Sequence, residues 1–439
     1  MKISIIGTGY IWLIQALWLA KLGFEITSID VSQEKIDTLK AWIPTIYEDG
    51  LPELLKEYHQ SIDFTTDMSH IVWSDVIFIC VGTPQDDEGK TDLGYIFGAC
   101  NDIKPHLSGS EIVVIKSTVP VWTNARIYES LERKNTVVSN PEFLREGLAI
   151  KDFFNPDRIV LGVLDAENKK VLDTLKKVYA SFAEKNIPTL ITDWQTAELI
   201  KYAANSFLAT KITFVNEISR LADRVWANVK DISLAIGMDD RIGPKFLNAG
   251  IGYGWSCFPK DVKSLIHQFQ ENGLSGEIVS KVDEINDSQV NYFMSKILDF
   301  YGNDLHGKVI SVLWVAFKPD TDDLRESKGI EVIKKLMHAG ARLKIYDYNK
   351  HALLNFRKYL DGIILWSSRW FFSVKIVDSF DELITDSDSL VVTLEDKRLL
   401  NENFQNVWLR DNVIFDGRNI LNKKEIQANW IIYFGVGVQ

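Results

Sequence analysis

Cysteine is scarce in this chain of 439 residues: Cys80, Cys100 and Cys257 are the whole set. An odd, sparse set argues against a disulfide framework and fits a reducing compartment. No apolar run approaches the ~20 residues that a membrane helix needs, so no membrane partner is expected. The opening MKISIIGTGY begins a strand-like run at once, without a charged n-region and cleavage site, and reads as a cytoplasmic start. Basic charge is outnumbered, with 49 Lys and Arg against 60 Asp and Glu and a net charge of −11. That balance makes the chain a poor candidate for non-specific nucleic-acid binding, which rests on phosphate neutralisation, and no nucleic-acid partner is expected. Anionic small ligands stay open, because local donors and helix N-termini outweigh distant net charge. The seven His never fall at ligand-like spacing with Cys or one another, so no metal is expected. There is no low-complexity segment and no short-period repeat.

What is present is an ordinary globular mixture, 46% hydrophobic and 25% charged, long enough for about two or three domains. The first part alternates β-branched runs (2–6, 24–29, 76–81, 112–115, 136–139 and 159–163) with helical patterns over 10–22 and 32–40. Such alternation implies βαβ units and a mostly parallel sheet. From Thr192 to about Asp223 no Gly or Pro interrupts a helical pattern of ~30 residues, well beyond the usual ~11. Strand-like runs then resume at 309–315, 342–346, 389–394 and 412–415. The expected class is α/β: two Rossmann-like parallel-sheet domains, 1–191 and 299–439, joined by a central helical domain, 192–298, with one long helix.

Gly7 to Trp12, GTGYIW, follows a strand and opens a helix, and Asp30 ends the next strand. In a dinucleotide site the first Gly makes the turn, the second admits the pyrophosphate and the acid binds ribose hydroxyls. An acid at that point favours NAD over NADP. The alternative is a tight turn without a ligand. Cys257 lies in GIGYGWSCFPKD, with Lys260 and Asp261 close behind it. A cation lowers a thiol pKa and a carboxylate handles protons, although a lone intracellular Cys is more often a small buried hydrophobe. Lys201 and Asn205 stand one helical turn apart, where a solvated face is the plain alternative. Lys318 and Arg325 occupy AFKPDTDDLRES, a loop suited either to solvent or to an anion.

Together with YEDGL, FICVGTP, KSTVP, SNPEFLREG, AELIKYAANSFLATKI, RIGPKFLNAGIGYG, SCFPKDV, FKPDTDDLRESKGIEVI and FDGRN, these segments resemble the UDP-glucose/GDP-mannose dehydrogenase family over nearly the whole chain. The resemblance implies oxidation of UDP-glucose to UDP-glucuronate with two NAD and no metal. It implies that Cys257 forms a thiohemiacetal and then a thioester, that Lys201, Asn205 and Asp261 surround the reacting oxygen, and that Glu142 or Thr118 assists hydrolysis. It assigns Gly7, Gly9, Tyr10, Ile11, Asp30, Lys35, Thr83, Thr118, Glu146, Lys260 and Arg325 to NAD. Phe143, Leu144, Lys201, Asn205, Phe246, Gly250, Tyr253, Gly254, Lys318 and Arg418 would line the sugar-nucleotide site, with Arg241 reaching the substrate of a neighbouring subunit. A homodimer through the central helix is implied as well.

The chain departs from that pattern in one respect. Trp12, Trp18, Trp122, Trp226, Trp255 and Trp314 stand where the family usually has Gly, and Trp42 and Trp430 are further candidates. Trp12 and Trp255 bear on the chemistry, since one sits beside the pyrophosphate turn and the other two residues before the nucleophile. Overpacking typically costs ~1–3 kcal/mol. Three explanations compete: an intact enzyme repacked around the rings, a catalytically impaired nucleotide-sugar or NAD binding protein, and systematic Gly-to-Trp changes; a dehydrogenase of UDP-N-acetylmannosamine or GDP-mannose is a separate alternative. A two-electron dehydrogenase of a β-hydroxy acid would need neither the cysteine nor the last α/β segment.

Overall fold

The computed structural model describes residues 1–7, 9–86, 88–145, 147–254, 257–364 and 374–438. Two compact units emerge: 1–204 with 263–275, and 205–262 with 276–439. In the first, β1 (Lys2–Ile6), β2 (Glu25–Ile29), β3 (Ile62–Thr65), β4 (Val76–Ile79), β5 (Ile112–Ile115), β6 (Thr136–Ser139), β7 (Ile159–Val163) and β8 (Thr189–Thr192) form one sheet. Its order is β3-β2-β1-β4-β5-β6-β7-β8, and every pairing is parallel except β6 with β7. Both faces are covered. Along β4, Val76 and Phe78 enter one apolar cluster while Ile77 and Ile79 enter the other. That is why its run reads as uniformly apolar rather than alternating.

The second unit carries β9 (Val309–Leu313), β10 (Arg342–Tyr346), β11 (Val374–Ile376), β12 (Ser389–Val392), β13 (Val413–Asp416) and β14 (Ile432–Phe434). Their order is β11-β10-β9-β12-β13-β14, all parallel. Each sheet thus reverses strand order beside its first strand, between β1 and β4 or between β9 and β12. Such a reversal opens a crevice at the carboxyl ends of the strands. The expected α/β class with two parallel sheets and one long helix is what the molecule has. The helix runs Trp194–Val225, and Asp193 caps its start by accepting from the Thr196 amide at 2.7 Å. No helix among the described residues is long and apolar enough to cross a membrane.

Candidate functional site

The turn after β1 is built around Gly7. Its φ is +102°, and a Cβ there would meet the Cys80 carbonyl, just past β4, at 2.8 Å. Only glycine fits that approach. Gly9 precedes the helix Tyr10–Lys21. The backbones of Tyr10 and Ile11 open that helix, and their side chains lie outside the described set, as do Glu146 and Trp255. Asp30, at the end of β2, is buried and accepts from the Ser32 amide at 2.8 Å. Lys35 is exposed on the following helix, Thr83 is buried past β4, and Thr118 is half-buried past β5. Trp12 is wholly buried, and its indole N–H has no partner among the described residues.

The loops after β5 and β6 carry the polar interior of this unit. Glu142 and Lys201 are both buried, with Lys201 Nζ 3.4 Å from Glu142 Oε1. The other carboxylate oxygen of Glu142 accepts from the Leu144 amide at 2.6 Å. Lys201 Nζ also stands over the Phe143 ring, 5.4 Å from its centroid. Beneath them, buried Lys116 donates to Asn140 Oδ1 at 3.0 Å, and burial lowers its pKa. A buried ion pair of this kind holds geometry more than it stabilises the fold.

In the second unit Asn205 Nδ2 donates to Asp261 Oδ2 at 2.6 Å, and Lys260 Nζ donates to Asp261 Oδ1 at 2.7 Å. Asp261 is 1% exposed, so both of its oxygens are committed in a site with little water. Its own amide donates to the Cys257 carbonyl at 2.8 Å, which puts the carboxylate one helical turn beyond the cysteine. Burial pushes the thiols of Cys80 and Cys100 up to about 12, which leaves them inert. Cys257 is half-buried.

The glycine-rich loop is packed against its own unit. A Cβ on Gly250 would meet the Gly417 carbonyl at 2.9 Å, one on Gly252 the Asn286 Oδ1 at 2.9 Å, and one on Gly254 would run into the Glu326 carbonyl. Arg418 locks this loop: it donates to the Gly252 carbonyl at 2.9 Å and the Thr393 carbonyl at 3.0 Å, and burial lowers it to about 10. Tyr253 is buried, with its amide and carbonyl both bonded to Asn286. Phe246 meets Phe258 edge-on at 6.3 Å. Arg241 and Arg325 are exposed and paired with Asp239 and Asp323, each at 2.6 Å, and Lys318 Nζ lies 5.6 Å from the Phe317 ring centroid.

Three models of the UDP-glucose/GDP-mannose dehydrogenase family match in sequence: its NAD binding domain at 1–183, its central domain at 195–288 and its UDP binding domain at 311–423. The chain belongs to this family. Its cofactor is NAD, in keeping with the Gly7 turn and Asp30. An uncharacterised protein of Methanocaldococcus jannaschii is 49% identical over 71% of the chain, and the match spans 35% of that longer protein. UDP-glucose 6-dehydrogenase of Rhizobium meliloti is 38% identical over 100% of the chain and 99% of its own length. The solved UDP-glucose dehydrogenase of Pyrobaculum islandicum superposes with a TM-score of 0.88 at 33% identity, covering 100% of this chain and 98% of that one.

Sequence reasoning gave no role to Glu48 or Glu198, although both lie in the motifs YEDGL and AELIKYAAN. Each is a buried carboxylate that accepts backbone amides far away in sequence. No local spacing announces such a contact.

Proposed function

We propose that this protein oxidises the primary alcohol of UDP-glucose to the carboxylate of UDP-glucuronate, with two NAD per sugar and Cys257 as the covalent carrier. The hydrogen-bonded set around Asp261, one turn past Cys257, carries the reading. Bound NAD supplies the acceptor for each electron pair. Gly7 and Asp30 fit that cofactor, since the turn leaves no room for a side chain and the acid ends the second strand.

The alcohol proton passes to a base, through water, beside Lys201 and Asn205 as the first pair of electrons leaves. The Cys257 thiolate then adds to the aldehyde carbon, forming a C–S bond and an oxyanion. Lys201 and the Asn205 amide are donors suited to that charge. Loss of the second pair gives a thioester. Asp261 takes a proton from water as it attacks the acyl carbon, with Glu142 or Thr118 assisting. The C–S bond breaks, and the acid and the free thiol are released. Phe143, Leu144, Phe246, Tyr253, Lys318 and Arg325 would contact the substrate and cofactor in this reading, which rests on their positions in the family's motifs.

A homodimer through the central helix belongs to the same proposal. Phe207, Phe214 and Leu221 repeat every seven residues on the long helix and are 66%, 51% and 58% exposed, an apolar stripe suited to a second copy. Cytoplasmic location is proposed with it. A second reading, a binding protein with impaired catalysis, draws on the unpartnered indole of Trp12 beside the cofactor turn.

The test is Cys257→Ala. We expect no UDP-glucuronate from the variant and unchanged NAD affinity. Continued turnover to the acid overturns the covalent route.

A further inference from the structure

The loops leaving the adjacent strands β5 and β6 carry Thr118 and Glu142, and each ends in a short helix, Thr123–Ser130 or Ala149–Phe154. Neither helix is capped by a side chain of its own N-cap residue. A distant buried glutamate serves instead in both cases. Glu198, from the long helix, accepts from the Trp122 amide at 2.8 Å and from the Asn124 amide and side chain at 2.7 Å each. Glu48 accepts from the Gly147 amide at 2.9 Å and the Ala149 amide at 2.7 Å. Their exposures are 2% and 4%, so water does not compete for these bonds. Gln268 adds a third tie by accepting from the Val121 amide at 3.0 Å.

We propose that Glu198 and Glu48 are positioning residues, a matched pair of remote caps that fix the Thr118 loop and the Glu142–Leu144 loop respectively. This rests on the function proposed above. A helix cap satisfies amides that would otherwise be orphaned, and displacing a reacting group by ~1 Å costs about 100-fold in rate. Borrowing the cap from another element ties each loop to the body of the unit as well as to its own helix.

The experiment pairs Glu198→Gln with Glu48→Gln and reads amide hydrogen exchange and steady-state kinetics with UDP-glucose. Gln keeps the shape but replaces one acceptor oxygen by a donor. In Glu198→Gln we expect exchange about tenfold faster over 117–124 alone, with kcat about tenfold lower and KM for the sugar unchanged. In Glu48→Gln we expect the same rise over 143–150 alone, with KM about tenfold higher because Phe143 and Leu144 move. Wild-type exchange in the matching loop, or a rise spread evenly over the unit, overturns the proposal. Wild-type kinetics with altered exchange also overturns it. If either Gln variant fails to fold, the Asp variant, which keeps the charge and shortens the reach, is read in the same way. Exchange does not depend on turnover. An inactive wild-type protein would therefore sink the function and still decide the caps.

A different observation carries a second proposal. Trp42, Trp73, Trp122, Trp226, Trp314 and Trp430, six of the thirteen tryptophans, have φ between +61° and +80°. A bulky residue in that region is a true outlier, and six of one kind are not chance. Five of them are also 48–89% exposed. Trp194 is the opposite case: its indole donates to the Val137 carbonyl at 2.9 Å in a buried setting. We propose that the six positions are glycine in the protein as its own cell makes it. Peptide masses of the protein purified from its source decide this. Glycine at the six and tryptophan at 194 is expected, and tryptophan at all seven overturns it.

Discussion

The turn after β1 and the turn after β9 each lie beside the strand-order reversal of their sheet, and they are built from different residues. After β1 the chain passes through Gly7, pressed against the Cys80 carbonyl, and the acid ending β2, Asp30, accepts from Ser32 just beyond it. After β9 the acid ending the neighbouring strand, Asp347, reaches into the turn itself. It accepts from the Val315 amide at 3.0 Å, the Ala316 amide at 3.2 Å and the Asn349 amide at 2.9 Å. Trp314 sits fully buried in that turn with φ +80°. The second turn spends its amides on its own carboxylate, and burial raises the Asp347 pKa despite them. The second turn is thus tied down by the acid that ends its neighbouring strand.

Either turn can be disturbed separately. The largest effect is expected from Gly7→Ala, whose Cβ would sit 2.8 Å from a carbonyl at φ +102°. NAD affinity should fall by about 100-fold, roughly 3 kcal/mol, by isothermal titration. Near-native affinity would mean that the turn does not hold the cofactor. Next comes Asp347→Ala, which orphans three amides and should cost about 2–3 kcal/mol in denaturant unfolding while sparing NAD. Asp30→Ala should do the reverse, weakening NAD about tenfold with little change in stability. Equal effects at both turns would erase the contrast.

A smaller effect concerns pH. Burial pushes Glu198 up to about 7 against its three donors. Its folded pKa lies above the unfolded value of about 4, so its stabilisation is complete below pH ~4 and is lost as pH rises through 7. Wild type should lose about 2–3 kcal/mol over that range relative to Glu198→Gln. Parallel pH curves would contradict the buried carboxyl. The smallest expected change is from Trp122→Gly, at φ +77°, which should raise stability by about 1 kcal/mol. A loss there would mean that the ring has found compensating contacts.

Much of the fold was legible because buried parallel strands read as apolar runs and the long helix lacks Gly and Pro. β1, β5, β6, β7, β9 and β10 fall on the expected runs. β3 and β8 did not stand out, since Ile62–Thr65 alternates and Thr189–Thr192 is largely exposed on an edge strand. The reversed direction of β7 could not be read, because an apolar run looks alike either way. At the site, Gly7 and Asp30 announce themselves by spacing. The Asn205–Asp261 bond spans 56 residues, and Glu48 reaches 101 residues to Ala149. Such pairs are set by tertiary packing alone.

The four-electron oxidation is tested most directly by the number of NADH formed per UDP-glucose supplied in limiting amount, with UDP-N-acetylmannosamine and GDP-mannose in parallel. Two NADH are expected from UDP-glucose and little from the other sugars. One NADH per sugar, or none from folded protein that still binds UDP-glucose, would contradict that oxidation.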